Sequence, residues 1–394
     1  MQQSHFVNKR LVRPLENVSR RVAICFLDQY KHRGGGQQIL LDLLTVAQRI
    51  GVQVSAMVPA AGDLYNDIIK QNVPVHPIPE PSLSQGRKGV LDILRLCAHI
   101  LHFFIKQKRI YHSPDLFYVN GPRLIPHAMI LGWLFKKPYC IHIHLEHSPL
   151  ELKLLQLAIK QKCNIAMVVP SEYIRRQMTE FHPSFGSDKL RVIENGLTTA
   201  YEELQFENRF TCGRLRSIVI IGRLSPEKGH DAIQAAAAYF PDVDFHILGA
   251  SDFSNNEWQQ YLNQMMPKNV HFYGKIDDIP RKVRALKAQL CIVPSRCNES
   301  FGLVAIEGMA LSCLTIVRNK GGLAEIAKKT NALTFVEDEE LIKTIDNINR
   351  LSDQQRNTLA KEQYTATMTF FGSSCYFRRL ENMLVELVSN IDCE

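Results

Sequence analysis

Residues 290–311, LCIVPSRCNESFGLVAIEGMAL, read as a buried strand, then a polar loop holding a glycine, then an apolar helix with one carboxylate inside it. Strand, loop and helix in that order form the repeating step of a parallel α/β sheet. The carboxylate is Glu307. It lies on a helix with no polar face, so it should be buried, and a buried charge is costly unless it is hydrogen-bonded. A second acid, Glu299, precedes it by eight residues on the loop. Between them Gly302 begins the helix, where free backbone N–H groups and the positive dipole end favour an anion. Two carboxylates that accept from hydroxyls, beside a helix start that holds phosphate, suit a ligand that is both polyhydroxylated and phosphorylated.

The same step recurs outward from this stretch. SIVIIGRLSPEKGHDAIQAAAAYF (217–240), VDFHILG (243–249) and NVHFYG (269–274) read as strands with helices following, near 255–266 and 280–287 for the later two. Upstream, VAICFLDQY (22–30) is a strand, KHRGGG a loop, and Gln37 to Ile50 a helix. VQVSAMV (52–58), VPVHPI (73–78), DLFYVN (115–120), PYCIHIH (138–144), NIAMVVPS (164–171) and KLRVIENGL (189–197) continue the strands, with helices through LIPHAMILGWLF and from Ser171 to Phe181. Residues 198–216 lose apolar periodicity and read as a linker. Alternation on both sides of it predicts an α/β chain of two doubly wound parallel-sheet (Rossmann-like) domains facing a cleft, with ligand at the C-terminal strand ends.

Three features of the N-terminal half each carry two readings. Gly34, Gly35 and Gly36 permit positive φ and a close backbone approach at a ligand edge, or they are a flexible turn; neither a Walker pattern nor Gly-x-Gly-x-x-Gly is present. From Gly89 to about Ile110 a long helix carries one narrow polar stripe of Asp92, Arg95, His99, His102, Lys106 and Arg109. It is either a core helix or one that docks on lipid through Lys106, Lys108 and Arg109. His142, His144 and His147, with Glu146 among them, cluster at a strand's C-terminal end. The spacing supplies no matching carboxylate for zinc, so a histidine projecting into the cleft competes with a hydrogen-bonded packing histidine.

Composition bounds the partners. The 394 residues are 45% hydrophobic and 22% charged, with net charge +8. Residues 1–200 hold 25 Lys and Arg against 14 Asp and Glu, and the remainder hold 22 against 25, so the basic charge belongs to the N-terminal half. That asymmetry fits an anionic partner such as phosphorylated lipid or a membrane surface. Nucleic acid is disfavoured, because zinc-finger spacing, an RNP-like motif and a basic recognition helix are all missing. The ten cysteines include no Cys-x-x-Cys pair and read as reduced core thiols. No apolar run approaches the ~20 residues of a membrane span, and no signal-like segment opens the chain. A cytoplasmic place is expected, or a peripheral one at the inner face of the plasma membrane.

In IGRLSPEKG, Arg223 stands two residues past a strand and Lys228 five further on; such a pair can straddle a diphosphate, Arg as a fork and Lys as a point charge. GRLSPEKG, followed some seventy residues later by Glu299, seven residues and Glu307, resembles the family 4 retaining glycosyltransferases with their two-domain GT-B fold. The glycine loop, PSEYIRRQM, VIENG, ESFGLVAIEGMA and GGLAEI extend the resemblance over roughly residues 22–330. Ala324 departs from it, standing where the family commonly has proline. The resemblance implies an N-terminal acceptor-binding domain over 1–200, a nucleotide-sugar-binding domain over 201–370 and a C-terminal helix over 371–394 that crosses back.

It also implies roles. Arg223 and Lys228 would bind the donor diphosphate, Glu299 the donor sugar hydroxyls, and Glu307 the ribose; the Phe301-Gly302-Leu303 backbone would meet sugar and phosphate. Gly35 and Gly36 would lie near donor phosphate and acceptor, and His144, with His142 competing, beside the transferred sugar. The catalytic set is then His144, Glu299, Arg223 and Lys228. The implied partners are a nucleotide-sugar donor and a glycan or lipid-linked acceptor in cell-surface polysaccharide or lipopolysaccharide synthesis, with no metal and no other cofactor required. Asp242-x-Asp244 resembles the metal motif of another glycosyltransferase class, but it enters a strand, away from the ligand edge. A nucleotide-sugar epimerase on the same fold and an inactive GT-B binding partner are the alternatives.

Overall fold

The structure is a computed structural model, and it describes residues 22–79, 98, 100, 102–105, 110–251 and 256–391. The basic leader and nearly all of the helix expected over 89–110, with Lys106, Lys108 and Arg109, lie outside the described residues. The chain divides into two compact units: Met1–Val168 with Thr179–Arg191 and Phe377–Glu394, and Val169–Met178 with Val192–Tyr376.

The first unit carries β1 (Ala23–Asp28), β2 (Gln53–Pro59), β3 (Val75–Ile78), β4 (Leu116–Asn120), β5 (Tyr139–His142), β6 (Asn164–Val169) and β7 (Leu190–Val192) in the order β3-β2-β1-β4-β5-β6-β7. The pairings from β3 through β6 are parallel. Strands buried on both faces read as unbroken apolar runs rather than alternating ones, which is why AICFLD and LFYVN look as they do. Each of these two strands ends in a buried polar residue, Asp28 and Asn120, at the edge where connections reverse direction from β1 toward β2 and toward β4. Registers pair Asp28 with Asn120 and Asn120 with His142, so the sheet itself sets three polar side chains in a row.

The second unit carries β8 (Ser217–Ile221), β9 (Asp244–Leu248), β10 (Val270–Phe272), β11 (Leu290–Val293), β12 (Leu314–Arg318) and β13 (Leu333–Phe335), ordered β10-β9-β8-β11-β12-β13, all parallel. Its reversal point is between β8 and β11, where the loops bearing Arg223 and Glu299 emerge. One face packs Val219, Cys291, Ala305, Ile306, Met309 and Leu323 into a core. Both units are thus the α/β doubly wound parallel sheets the periodicity predicts.

Two expectations change. The stretch 198–216, read as a linker, belongs to the second unit: Phe210 is 1% exposed, its amide donates to Asn357 Oδ1 at 3.1 Å and its carbonyl accepts from Asn357 Nδ2 at 2.8 Å. Gly213 N–H likewise donates to Asp353 at 2.8 Å. The run KLRVIENGL yields only the three-residue strand β7, because the following segment leaves the sheet.

Candidate functional site

In the second unit the loop after β8 brings its two cations to different acids. Arg223 lies 3.1 Å from Glu227 and is half exposed, while the short 3₁₀ turn Pro226–Lys228 turns the Lys228 ammonium toward Glu299, Nζ to Oε1 2.5 Å. Ser295 Oγ donates to that same oxygen at 2.6 Å, so Glu299 is held from two sides. The backbone ties both loops together, since Arg296 N–H and Cys297 N–H donate to the Glu227 carbonyl at 2.9 and 3.1 Å. Arg296 is itself bound by Asp231 and Asp338, and Gly322 N–H donates to the Glu299 carbonyl at 2.7 Å. Arg223, Lys228, Glu299 and Glu307 therefore stand on connected elements of one sheet edge.

Gly302 caps the helix Leu303–Ala310 with φ +112°. A Cβ there would come within 2.4 Å of Leu323 Cδ2, so both conformation and space call for glycine. Phe301 is buried against Phe371 and serves packing, while Leu303 is half-buried at the first turn. Glu307 sits one turn further on without a hydrogen-bond or ion-pair partner among the described residues. Its side chain keeps a partial opening to solvent, but enclosure by the apolar surroundings pushes the carboxyl up to about 7. Neither oxygen is engaged by another described residue, so the half-buried carboxyl is raised without a protein partner to offset its desolvation.

In the first unit, the helix Gly35–Arg49 starts at Gly34 with no side-chain cap and no acid in its first turn. None of Gly34, Gly35 and Gly36 adopts positive φ, which corrects one reason given for the triple glycine. Close approach is what remains: a Cβ on Gly36 would lie 3.1 Å from His144 Cδ2. His144 follows the end of β5 and its Nε2 is 2.6 Å from Asn120 Oδ1, whereas His142, 1% exposed, bonds through Nδ1 to Tyr118 OH at 2.8 Å. The two histidine rings are 4.2 Å apart. Burial, aided by His147, pulls His144 down to about 3, so its imidazole is neutral at any physiological pH.

Asp28, Asn120 and Gln37 were not picked out by sequence reading, yet they meet here. Asn120 Nδ2 donates to Asp28 Oδ2 at 2.6 Å and Gln37 Nε2 to the same oxygen at 3.1 Å. The available signal was a polar residue closing an otherwise apolar strand; what could not be read is that register sets two such ends side by side. Among the described residues no group of three His, Cys, Asp or Glu side chains is placed to hold a metal, and Asp244 of the Asp-x-Asp pair bonds His271 at 2.9 Å. No helix among the described residues is long and apolar enough to cross a membrane.

Residues 33–201 match the family described as Glycosyltransferase Family 4, and residues 205–366 match Glycosyl transferases group 1. An uncharacterized glycosyltransferase of Methanocaldococcus jannaschii is 25% identical over 312 residues, 72% of this chain and 80% of that one. A phosphatidyl-myo-inositol mannosyltransferase of Mycolicibacterium smegmatis is 25% identical over 288 residues, 70% of each. In fold, Anabaena HepE in complex with UDP and glucose superimposes with TM-score 0.73 at 21% identity, covering 93% of this chain and 99% of that one. Sucrose-phosphate synthase of Thermosynechococcus elongatus gives 0.73 at 17%, covering 94% and 100%. The chain belongs to the group 1, family 4 glycosyltransferases of GT-B fold.

Proposed function

We propose that this protein transfers a sugar, with retention and without a metal, from a nucleotide-sugar donor to a glycan or lipid-linked acceptor of cell-surface polysaccharide or lipopolysaccharide. The observation that carries the reading is the Lys228–Glu299 pair at 2.5 Å with Arg223 on the same loop and, on the next helix, Glu307 with neither oxygen engaged by another described residue. As the glycosidic phosphate bond breaks, negative charge collects on the diphosphate and positive charge on the sugar. Arg223, Lys228 and the start of the helix Leu303–Ala310 supply fixed positive potential for the first, and preorganised charge stabilisation of this kind usually lowers a barrier more than any other single effect. In this reading the diphosphate takes Lys228 over from Glu299, freeing a carboxylate oxygen to accept from a sugar hydroxyl.

Glu307 accepts from the ribose hydroxyls, which replaces a missing bond rather than competing with an existing one. The Phe301-Gly302-Leu303 backbone meets sugar and phosphate. In the first unit, Gly35 and Gly36 offer an uncapped helix start to phosphate and acceptor, and neutral His144 accepts from a sugar hydroxyl without adding charge. The acceptor hydroxyl passes its proton to the departing phosphate, so no enzyme nucleophile is needed.

A membrane surface fits as the place of the lipid acceptor: Trp133 and Leu134 are 67% and 55% exposed, closely followed in the chain by exposed Lys136. The test is a panel of UDP-, GDP- and ADP-sugars with chelator present, read for hydrolysis, transfer and anomeric configuration. One donor consumed with its configuration kept is expected; no binding and no turnover of any donor would reject the reading. Conversion to an epimer with no acceptor added would favour an epimerase.

A further inference from the structure

Asp28 is wholly buried at the end of β1, and its two oxygens are taken up by donors: Tyr30 N–H at 2.8 Å on Oδ1, Asn120 Nδ2 at 2.6 Å and Gln37 Nε2 at 3.1 Å on Oδ2. Asn120 Nδ2 also reaches the Gly36 carbonyl at 3.1 Å, so both its protons are committed. Burial pushes the Asp28 carboxyl up to about 6, so at neutral pH it is ionised, and the opposite amide orientation would set Oδ1 against a carboxylate and a carbonyl, three acceptors with no proton among them; at that pH the network therefore assigns the orientation. Asn120 Oδ1 then faces His144 Nε2 at 2.6 Å, and the nitrogen must be the donor. A neutral imidazole with its proton on Nε2 keeps Nδ1 as its accepting nitrogen.

We propose that Asn120, oriented by Asp28, is a positioning residue: it holds His144 as the Nε2–H tautomer and ties the Gly36 backbone, against which that ring packs, to the same point. The proposal rests on the reading that His144 takes part in transfer. A single amide thus sets the tautomer and place of the histidine and the place of the glycine loop, although sequence separates Gly36 from Asn120 by 84 residues and Asn120 from His144 by 24. The titratable groups that face His144 are His142 at 4.2 Å between rings, His147, and through Asn120 the Asp28 carboxyl; Glu151 lies 3.6 Å from His147.

The test uses the full-length protein with ¹⁵N-labelled histidine, His144→Gln assigning the signal, together with steady-state transfer. Wild type is expected to show His144 as a single Nε2–H tautomer. Asp28→Asn removes the acceptor that forces the amide, so both tautomers should appear. In the same variant kcat should fall about tenfold to hundredfold with nucleotide affinity unchanged, as for a misplaced group. Asp28→Asn with Asn120→Asp keeps one carboxylate and one amide but moves the charge beside Nε2, and it should raise the pH at which His144 loses its proton by about one unit or more, carrying the acid limb of the rate profile with it.

An Nδ1–H tautomer in wild type, or a His144 signal that neither variant moves, overturns the proposal. Where the exchanged pair does not fold, Asp28→Asn alone decides by the same spectrum. The spectra need no turnover, so an Nε2–H signal in a protein that transfers nothing would support the positioning role while rejecting the proposed function.

Discussion

Lys228 Nζ rests 2.5 Å from Glu299 Oε1, across 71 residues of chain and between the two loops that leave adjacent strands β8 and β11. Both side chains are only partly exposed, and the second carboxylate contact is a serine rather than another cation. A pair so placed at the C-terminal edge of the sheet contributes modestly to stability, since partly solvated ion pairs are worth on the order of 1 kcal/mol or less. Lys228→Ala should therefore leave the melting temperature within a few degrees while lowering transfer by about 10²- to 10³-fold, the cost of removing one stabilising donor. Steady-state rates at saturating donor check this, and a rate within threefold of wild type refutes the role of Lys228.

How much of this was legible follows the physics of each element. Strands β1, β4 and β11 are buried on both faces and read directly as apolar runs, so the doubly wound plan was visible. The helix Asp353–Phe371 was not, because its buried face is Arg356, Ala360, Gln363, Thr367 and Phe371. Gln363 there exchanges hydrogen bonds with the Thr315 backbone at 2.7 and 3.3 Å, a polar contact that hydrophobic periodicity does not register. Arg223, Lys228, Glu299 and Glu307 were each picked out singly, but Lys228 and Glu299 as partners, and Arg223 with Glu227, are facts of packing. Asp28 and Asn120 were missed for the same reason: only strand register brings them together.

Glu307 makes stability depend on pH in a definite direction. Its unfolded carboxyl ionises near 4.5 and its folded one near 7, so the folded state holds the extra proton between those values and stability falls as pH rises through them. Above about 7 the whole penalty is present. Glu307→Gln should then exceed wild type by about 1–3 kcal/mol at pH 8, with the gap closing toward pH 4.5. Urea unfolding at pH 5 and pH 8 measures it; a gap that does not grow with pH contradicts the assignment. The same variant should weaken nucleoside diphosphate binding about tenfold through the lost ribose bonds.

Gly302→Ala should destabilise by about 2 kcal/mol or more, since φ +112° strains any Cβ and Leu323 occupies its place. Gly36→Ala provides the contrast: the atoms nearest its new Cβ belong to the His144 side chain, with Cδ2 at 3.1 Å. That variant should keep most of its stability and lose activity instead. Thermal melts beside rates separate the two, and equal stability losses would contradict the distinction.

Sedimentation with lipid vesicles tests the proposed surface. Binding should be stronger to anionic than to neutral vesicles, as basic residues add about 1 kcal/mol each near an anionic surface. Trp133→Ser with Leu134→Ser should reduce it further. Equal partitioning to both lipids would reject the idea.

The most direct measurement of the central claim is turnover of UDP-, GDP- and ADP-sugars by the purified wild-type protein beside Lys228→Ala and Glu299→Gln. Wild type should consume one donor, with the anomeric configuration kept in the product and the rate insensitive to chelator, and both variants should lose about 10²-fold or more. A wild type that neither binds nor consumes any donor, or variants that match it, would contradict sugar transfer at Lys228 and Glu299.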